Sequence, residues 1–233
     1  MRVAVSNVLR MRPKNTVFRT SLLLLFALVS ALPMASSVLP TTLKGLTTSA
    51  ELVVVGKVSR VLKVKGVSIA EFEVSETLKG QRYEKIYYLA QPSWTCDIAD
   101  AIVGEKSLLF LEHYAFRPPV EVVEEPKAGV VSLDRFSSEF EEPRGFREGV
   151  MELTGNTPFF EIHWSGRGRM PIRTVNGREL ATLWVGDVAL PKDIHTFAGP
   201  EPKYSFIRSV ALAEIVEFVR TNTKARIVLK LHR

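Results

Sequence analysis

The chain has 233 residues, 46% of them hydrophobic, and 31 Lys and Arg against 25 Asp and Glu give a formal net charge of +6. That content is ample for a core, while a single cysteine, Cys96, excludes a scaffold held by internal disulfides. Five of the basic residues lie in the first twenty positions, so the charge needs reading by region before it names any partner.

Arg2, Arg10, Arg12, Lys14 and Arg19 precede the apolar stretch Leu22–Leu32, and no acidic residue occurs before Glu51. A positive segment, a short apolar core and small residues after it make a secretory signal, assigned to residues 1–37. Translation starts at Met1 or Met11, and cleavage after Ala31 or after Ser37 satisfies the small-x-small rule. The apolar run ends at Pro33, below the ~20 residues that span a bilayer, so no stable membrane insertion is expected after cleavage. No cysteine lies near either site, which excludes a lipid anchor there. Taking the five leader residues from 31 leaves 26 basic against 25 acidic residues, a net +1. Bulk charge therefore gives no support to nucleic-acid binding. The expected location is secreted or periplasmic.

Thr41–Ala50 reads as a short helix or turn, and Leu52–Val64 as a long strand with Leu52, Val54, Val58, Leu62 and Val64 on one parity. Gly56 marks a place where that strand bends. Lys65-Gly66 is a turn signal. Ile69–Leu78 alternates, with Ala70, Phe72 and Val74 inward and Glu71, Glu73 and Ser75 outward. Lys85–Ala90 is a third strand and Ser107–Leu111 a fourth, with Phe110 expected in the barrel core.

Residues 115–155 form a Pro- and Glu-rich excursion, with one short strand at Gly129–Leu133 and no helical domain expected. Strand character resumes at Phe159–Trp164. Arg169–Val175 and Arg178–Val185 flank Asn176-Gly177, the strongest short hairpin signal in the chain. Leu212, Ile215, Val216 and Val219 form one stripe of an amphipathic helix starting near Ser209, a good N-cap. Ala225–Leu231 alternates as a closing strand. No internal repeat is evident. The fold class is mainly β (α+β): a five-stranded antiparallel barrel with an added hairpin region and a C-terminal helix. The core of the barrel is assigned to residues 38–114, and residues 156–233 complete the same domain.

The run Val53-Val54-Val55-Gly56 with Val58, then Phe72, Val74, Leu78-Lys79-Gly80, Cys96, Gly104 and Leu108–Leu111 resembles the oligonucleotide/oligosaccharide-binding (OB) barrel of the netrin-like and tissue-inhibitor-of-metalloproteinases superfamily. It is most similar to uncharacterised bacterial exported proteins with that barrel. The resemblance covers about sixty residues, from Ala50 to Leu111. It implies an OB-like barrel. The inhibitor mechanism of that superfamily looks to a cysteine at the mature N-terminus, and this chain has none before Cys96. The resemblance leaves, as an alternative function, a TIMP-like protease inhibitor that works without that zinc clamp.

Local clusters supply little chemistry. In His163-Trp164-Ser165-Gly166-Arg167-Gly168-Arg169 the two glycines and two arginines suit an anion, but the spacing is neither a P-loop nor a nucleophile elbow, and a turn explains it. His195 with Asp193 and Asp187 is the only loose metal-type grouping and reads as loop. Glu124-Glu125 and Glu141-Glu142 lack the pattern of a Ca²⁺ loop. Cys96 reads as a half-buried apolar side chain; His113, His163, His195 and His232 are scattered, and no base can be assigned to it. Trp94 and Trp164, with Tyr87 and Tyr88, suit stacking on a sugar or base, or the core. The resulting expectation is an exported, non-catalytic module binding a protein or glycan, with no catalytic, metal or cofactor residue and no cofactor. Besides the inhibitor reading, the alternative is a secreted hydrolase using residues 155–193.

Overall fold

A computed structural model describes residues 41–90, 101–116, 142–164, 167–184, 188–200 and 207–231. The leader, Trp94, Cys96, the strand expected at Gly129–Leu133, Asp187 and His232 lie outside them. In chain order the elements are β1 (Thr41–Thr42), α1 (Leu43–Ser49), β2 (Leu52–Val64), β3 (Val67–Lys79), β4 (Lys85–Leu89) and β5 (Lys106–His113). There follow α2 (Phe146–Thr154), β6 (Phe159–Ile162), β7 (Arg169–Val175), β8 (Arg178–Trp184), β9 (Val188–Ala189), β10 (Thr196–Ala198), β11 (Ile207–Ala211) and α3 (Leu212–Leu231).

Strands β2, β3, β4, β6 and β5 pair in that order and β5 returns to β2, closing a five-stranded barrel. The expectation of an all-antiparallel barrel needs correction, because β4 and β6 run parallel. Between β4 and β6 the chain runs through β5, the excursion and α2, a connection of the length that a parallel pair requires. The resulting mixed barrel is compatible with an OB-like one.

Thirteen-residue β2 curves around the barrel through register shifts at Val53/Val54, Val55/Gly56 and Val58/Arg60. Gly56 makes the second bend: a Cβ there would lie 2.1 Å from Glu73 O and 2.5 Å from the Phe72 ring. The turn at Lys65-Gly66 has φ 51° and 86°, and Asn176-Gly177 has φ 50° and 76°. Both positions of the expected hairpin are thus left-handed, as a type I′ turn demands.

Two strands serve two cores at once. Leu52, Val54, Val58, Ala70, Phe72, Ile86, Tyr88, Leu109, Leu111 and Phe160 fill the barrel. Val53, Val55, Leu108 and Phe110 point outward, into a layer made by α1, α3 and the β7–β8–β11 sheet. Phe110 is therefore fully buried but outside the barrel, a correction of its expected place. The uninterrupted apolar run Leu108–Leu111 follows from that double burial. Val74 is only partly buried against the barrel core.

Two further expectations fail, and the excursion, where no helical domain is expected, carries one nine-residue helix, α2. Its Phe146, Val150 and Thr154 are buried at four-residue intervals, with Phe146 and Val150 over Ile69, Tyr87 and Phe159. Ser209 does not cap a helix: Ile207–Ala211 pairs with β8, and Ser209 Oγ accepts from Arg173 Nη2 at 2.9 Å. The free edge of β8 outweighs the capping preference. Ala225–Leu231 is helical to Leu231, since no Gly or Pro follows Leu212 and extending a helix costs less than starting a strand. Among the described residues no helix is long and apolar enough to cross a membrane.

Candidate functional site

The Leu78-Lys79-Gly80 segment explains how one end of the barrel is built. Leu78 plugs the outer core. Lys79 Nζ donates to Thr47 O (2.8 Å), Thr48 O (2.9 Å) and Ala50 O, the carbonyls that end α1. A cation at a helix C-terminus satisfies orphan acceptors and opposes the helix dipole. Gly80, at φ 90°, lies where a Cβ would come 2.6 Å from Glu51 O. The last turn of α1 is thereby fixed against the end of β3, and the Glu51 N–H that follows it donates to Leu111 O of β5 at 2.8 Å.

Two histidines meet carboxylates at this end. His163 Nε2 lies 2.7 Å from Ser49 Oγ, and its Nδ1 lies 3.0 Å from Glu112 Oε2. The second contact is close but off the line of a hydrogen bond. Ser49 is exposed at the last residue of α1, and its hydroxyl donates to Gly45 O at 2.6 Å. His163 is buried, its backbone held by bonds to Phe110 O (2.9 Å) and from Gly168 N (3.0 Å). Beside it, both the backbone N–H and Nδ1 of His113 meet Glu51 Oε2. His113, chiefly through its side chain, holds the Glu51 carboxyl below the usual range, so Glu51 stays ionised.

Trp164 completes the rim. It sits at φ 57°, a left-handed conformation that costs a bulky residue of order 1–3 kcal/mol. The residue is 40% exposed, and its ring meets His163 edge-on, centroids 5.9 Å apart.

The other residues singled out in the sequence do not converge here. Arg167 and Arg169 are buried, not offered to a solvent anion, and Arg169 pairs with Glu105 at 2.5 Å. Gly168 N–H is spent on His163 O. Ser165 and Gly166 lie outside the described residues, as do Glu124, Glu125 and Glu141. Asp193 and His195 are exposed on a loop, and no group of metal-ligating type forms among the described residues. Tyr87 packs under α2 with its hydroxyl on Glu71, and Tyr88 lies in the barrel, where burial pushes its phenol pKa up. Both are core, not stacking platforms.

Ser49, Glu51 and Glu112 had no sequence signal, because Ser49 and His163 are 114 positions apart and share no motif. The chain matches no family model and no curated protein.

Proposed function

We propose that this protein is an exported binding module whose OB-like barrel, of the type seen in the netrin-like superfamily, receives a glycan or protein partner at the end carrying Trp164. The exposed Trp164 ring, kept in an unfavourable backbone conformation and braced by His163, is the observation that carries the reading. Strain of that kind persists where surrounding structure enforces it and clusters at binding sites. The barrel interior is filled by Phe72, Tyr88 and Phe160, so a ligand docks on the rim instead of inside. Export rests on the leader of residues 1–37.

Tryptophan fluorescence titration against a glycan and protein panel tests the rim, with Trp164→Ala expected to weaken any binding at least tenfold. Undiminished affinity in that variant would falsify the assignment. An intact mass retaining Arg2–Thr20 in a soluble cytoplasmic fraction would remove the exported part.

A further inference from the structure

Ser49, Glu112 and His163 come from α1, β5 and the end of β6, and each is placed by contacts independent of the other two. Lys79 fixes the α1 terminus, β5 pairing with β6 places Glu112, and backbone bonds to Phe110 and Gly168 hold His163. An exposed hydroxyl against a buried imidazole, itself against a carboxylate, is the order of nucleophile, base and orienting group.

We propose that these three residues form an acyl-transfer site that hydrolyses activated esters, with Ser49 and His163 catalytic and Glu112 positioning His163. The proposal rests on the reading of this end as the ligand face and adds chemistry to it. It also reverses the expectation from sequence that the module does no chemistry.

Ser49 Oγ already lies within hydrogen-bond distance of Nε2, so turning its hydroxyl from Gly45 O to His163 needs only rotation about Cβ–Oγ. With Nε2 accepting, the imidazole proton sits on Nδ1, facing Glu112. The loose alignment there is common in ligand-free sites and tightens on binding. Oγ then bonds to the ester carbonyl carbon as its proton passes to Nε2, and the π pair moves onto the carbonyl oxygen. Collapse of that adduct breaks the bond to the leaving alcohol, which takes the proton from Nε2. Water repeats the sequence: its oxygen bonds to the acyl carbon, its proton goes to Nε2, and the Ser49 oxygen departs with that proton. Ester and water give acid and alcohol, with no redox partner needed.

The substrate class follows from the two amides that come after Ser49. Ala50 N–H is spent on Leu46 O and Glu51 N–H on Leu111 O, so neither amide following Ser49 can hold an oxyanion. Without those two donors the site favours esters with good leaving groups, such as aryl esters, over amides. The exposed Trp164 face beside His163 suits an apolar or sugar-ring flank of such an ester.

The test uses the purified protein with a fluorophosphonate probe and 4-nitrophenyl acetate between about pH 5 and pH 9, where a histidine base titrates. The expected result is a single label, mapped to Ser49, and hydrolysis lost by about 10²-fold or more in Ser49→Ala. His163→Ala should fall similarly and regain rate when imidazole is added, which a structural role would not produce. Glu112→Gln should lower kcat and change the pH profile with KM kept. If His163→Ala fails to fold, Ser49→Ala, at an exposed position, decides. No label, a label elsewhere, or Ser49→Ala hydrolysing as fast as the parent overturns the site. A null ester result beside intact binding at Trp164 removes only the acyl-transfer site; hydrolysis without Trp164-dependent binding removes only the binding reading.

Discussion

Glu71→Gln removes a charge on which four neighbours converge. The carboxylate takes a forked pair of bonds from Arg60 (2.5 and 3.2 Å), one from Ser59 Oγ (2.9 Å) and one from Tyr87 OH (2.9 Å), with Lys85 Nζ at 3.5 Å. Its side chain is 8% exposed. The Arg60 hydrogen bond, ahead of those from Ser59 and Tyr87, lowers its pKa from 4.5 to about 2. A difference of about 2.5 units at about 1.36 kcal/mol each gives about 3 kcal/mol. Arg60 is 59% and Lys85 44% exposed, so solvent screening brings the figure to about 2 kcal/mol.

The sign follows from the folded value lying below the unfolded one. This stabilisation is complete above the unfolded value of 4.5 and is lost as pH falls from there toward about 2. Urea unfolding of both proteins, from neutral pH down through that window, measures it. At neutral pH the variant should be less stable by about 2 kcal/mol, and the gap should close in acid. The other carboxylates act alike in both proteins, so the difference isolates Glu71. Stability curves that fall in parallel, with a constant gap or none, would refute the reasoning.

Two further perturbations test the scaffold. Phe72→Ala, at a fully buried ring in the barrel that also meets Tyr88 edge-on, should cost about 3–5 kcal/mol in chemical denaturation; a loss below about 1 kcal/mol would mean that the barrel collapses around the void. Lys79→Met keeps the aliphatic stem but strips the three carbonyls ending α1 of their donor, at a cost of about 1.5–3 kcal/mol. Amide exchange should quicken in α1 well before the barrel strands, and unchanged protection there would show that solvent replaces the ammonium.

The strands of the barrel were legible because local chemistry defines them. Leu52–Val64 has identical limits in sequence and structure, Ala70, Phe72 and Val74 share the inward face, and Lys65-Gly66 and Asn176-Gly177 turn where positive φ is tolerated. An alternating strand carries its own two faces, and a turn its own dihedrals, within a few residues of chain. What covers each face is not local. Phe110 alternates correctly with Leu109 and Leu111 yet belongs to the layer under α3, because β5 serves two cores and the pattern cannot say which neighbour lies on which side. The edge of β8 turned Ile207–Ala211 into a strand against its capping signal. Ser49, Glu112 and His163 met only through chain closure: a side chain's reactivity depends on what stands within about 3 Å, and that distance is set by the packing of α1, β5 and β6, not by any spacing along the chain.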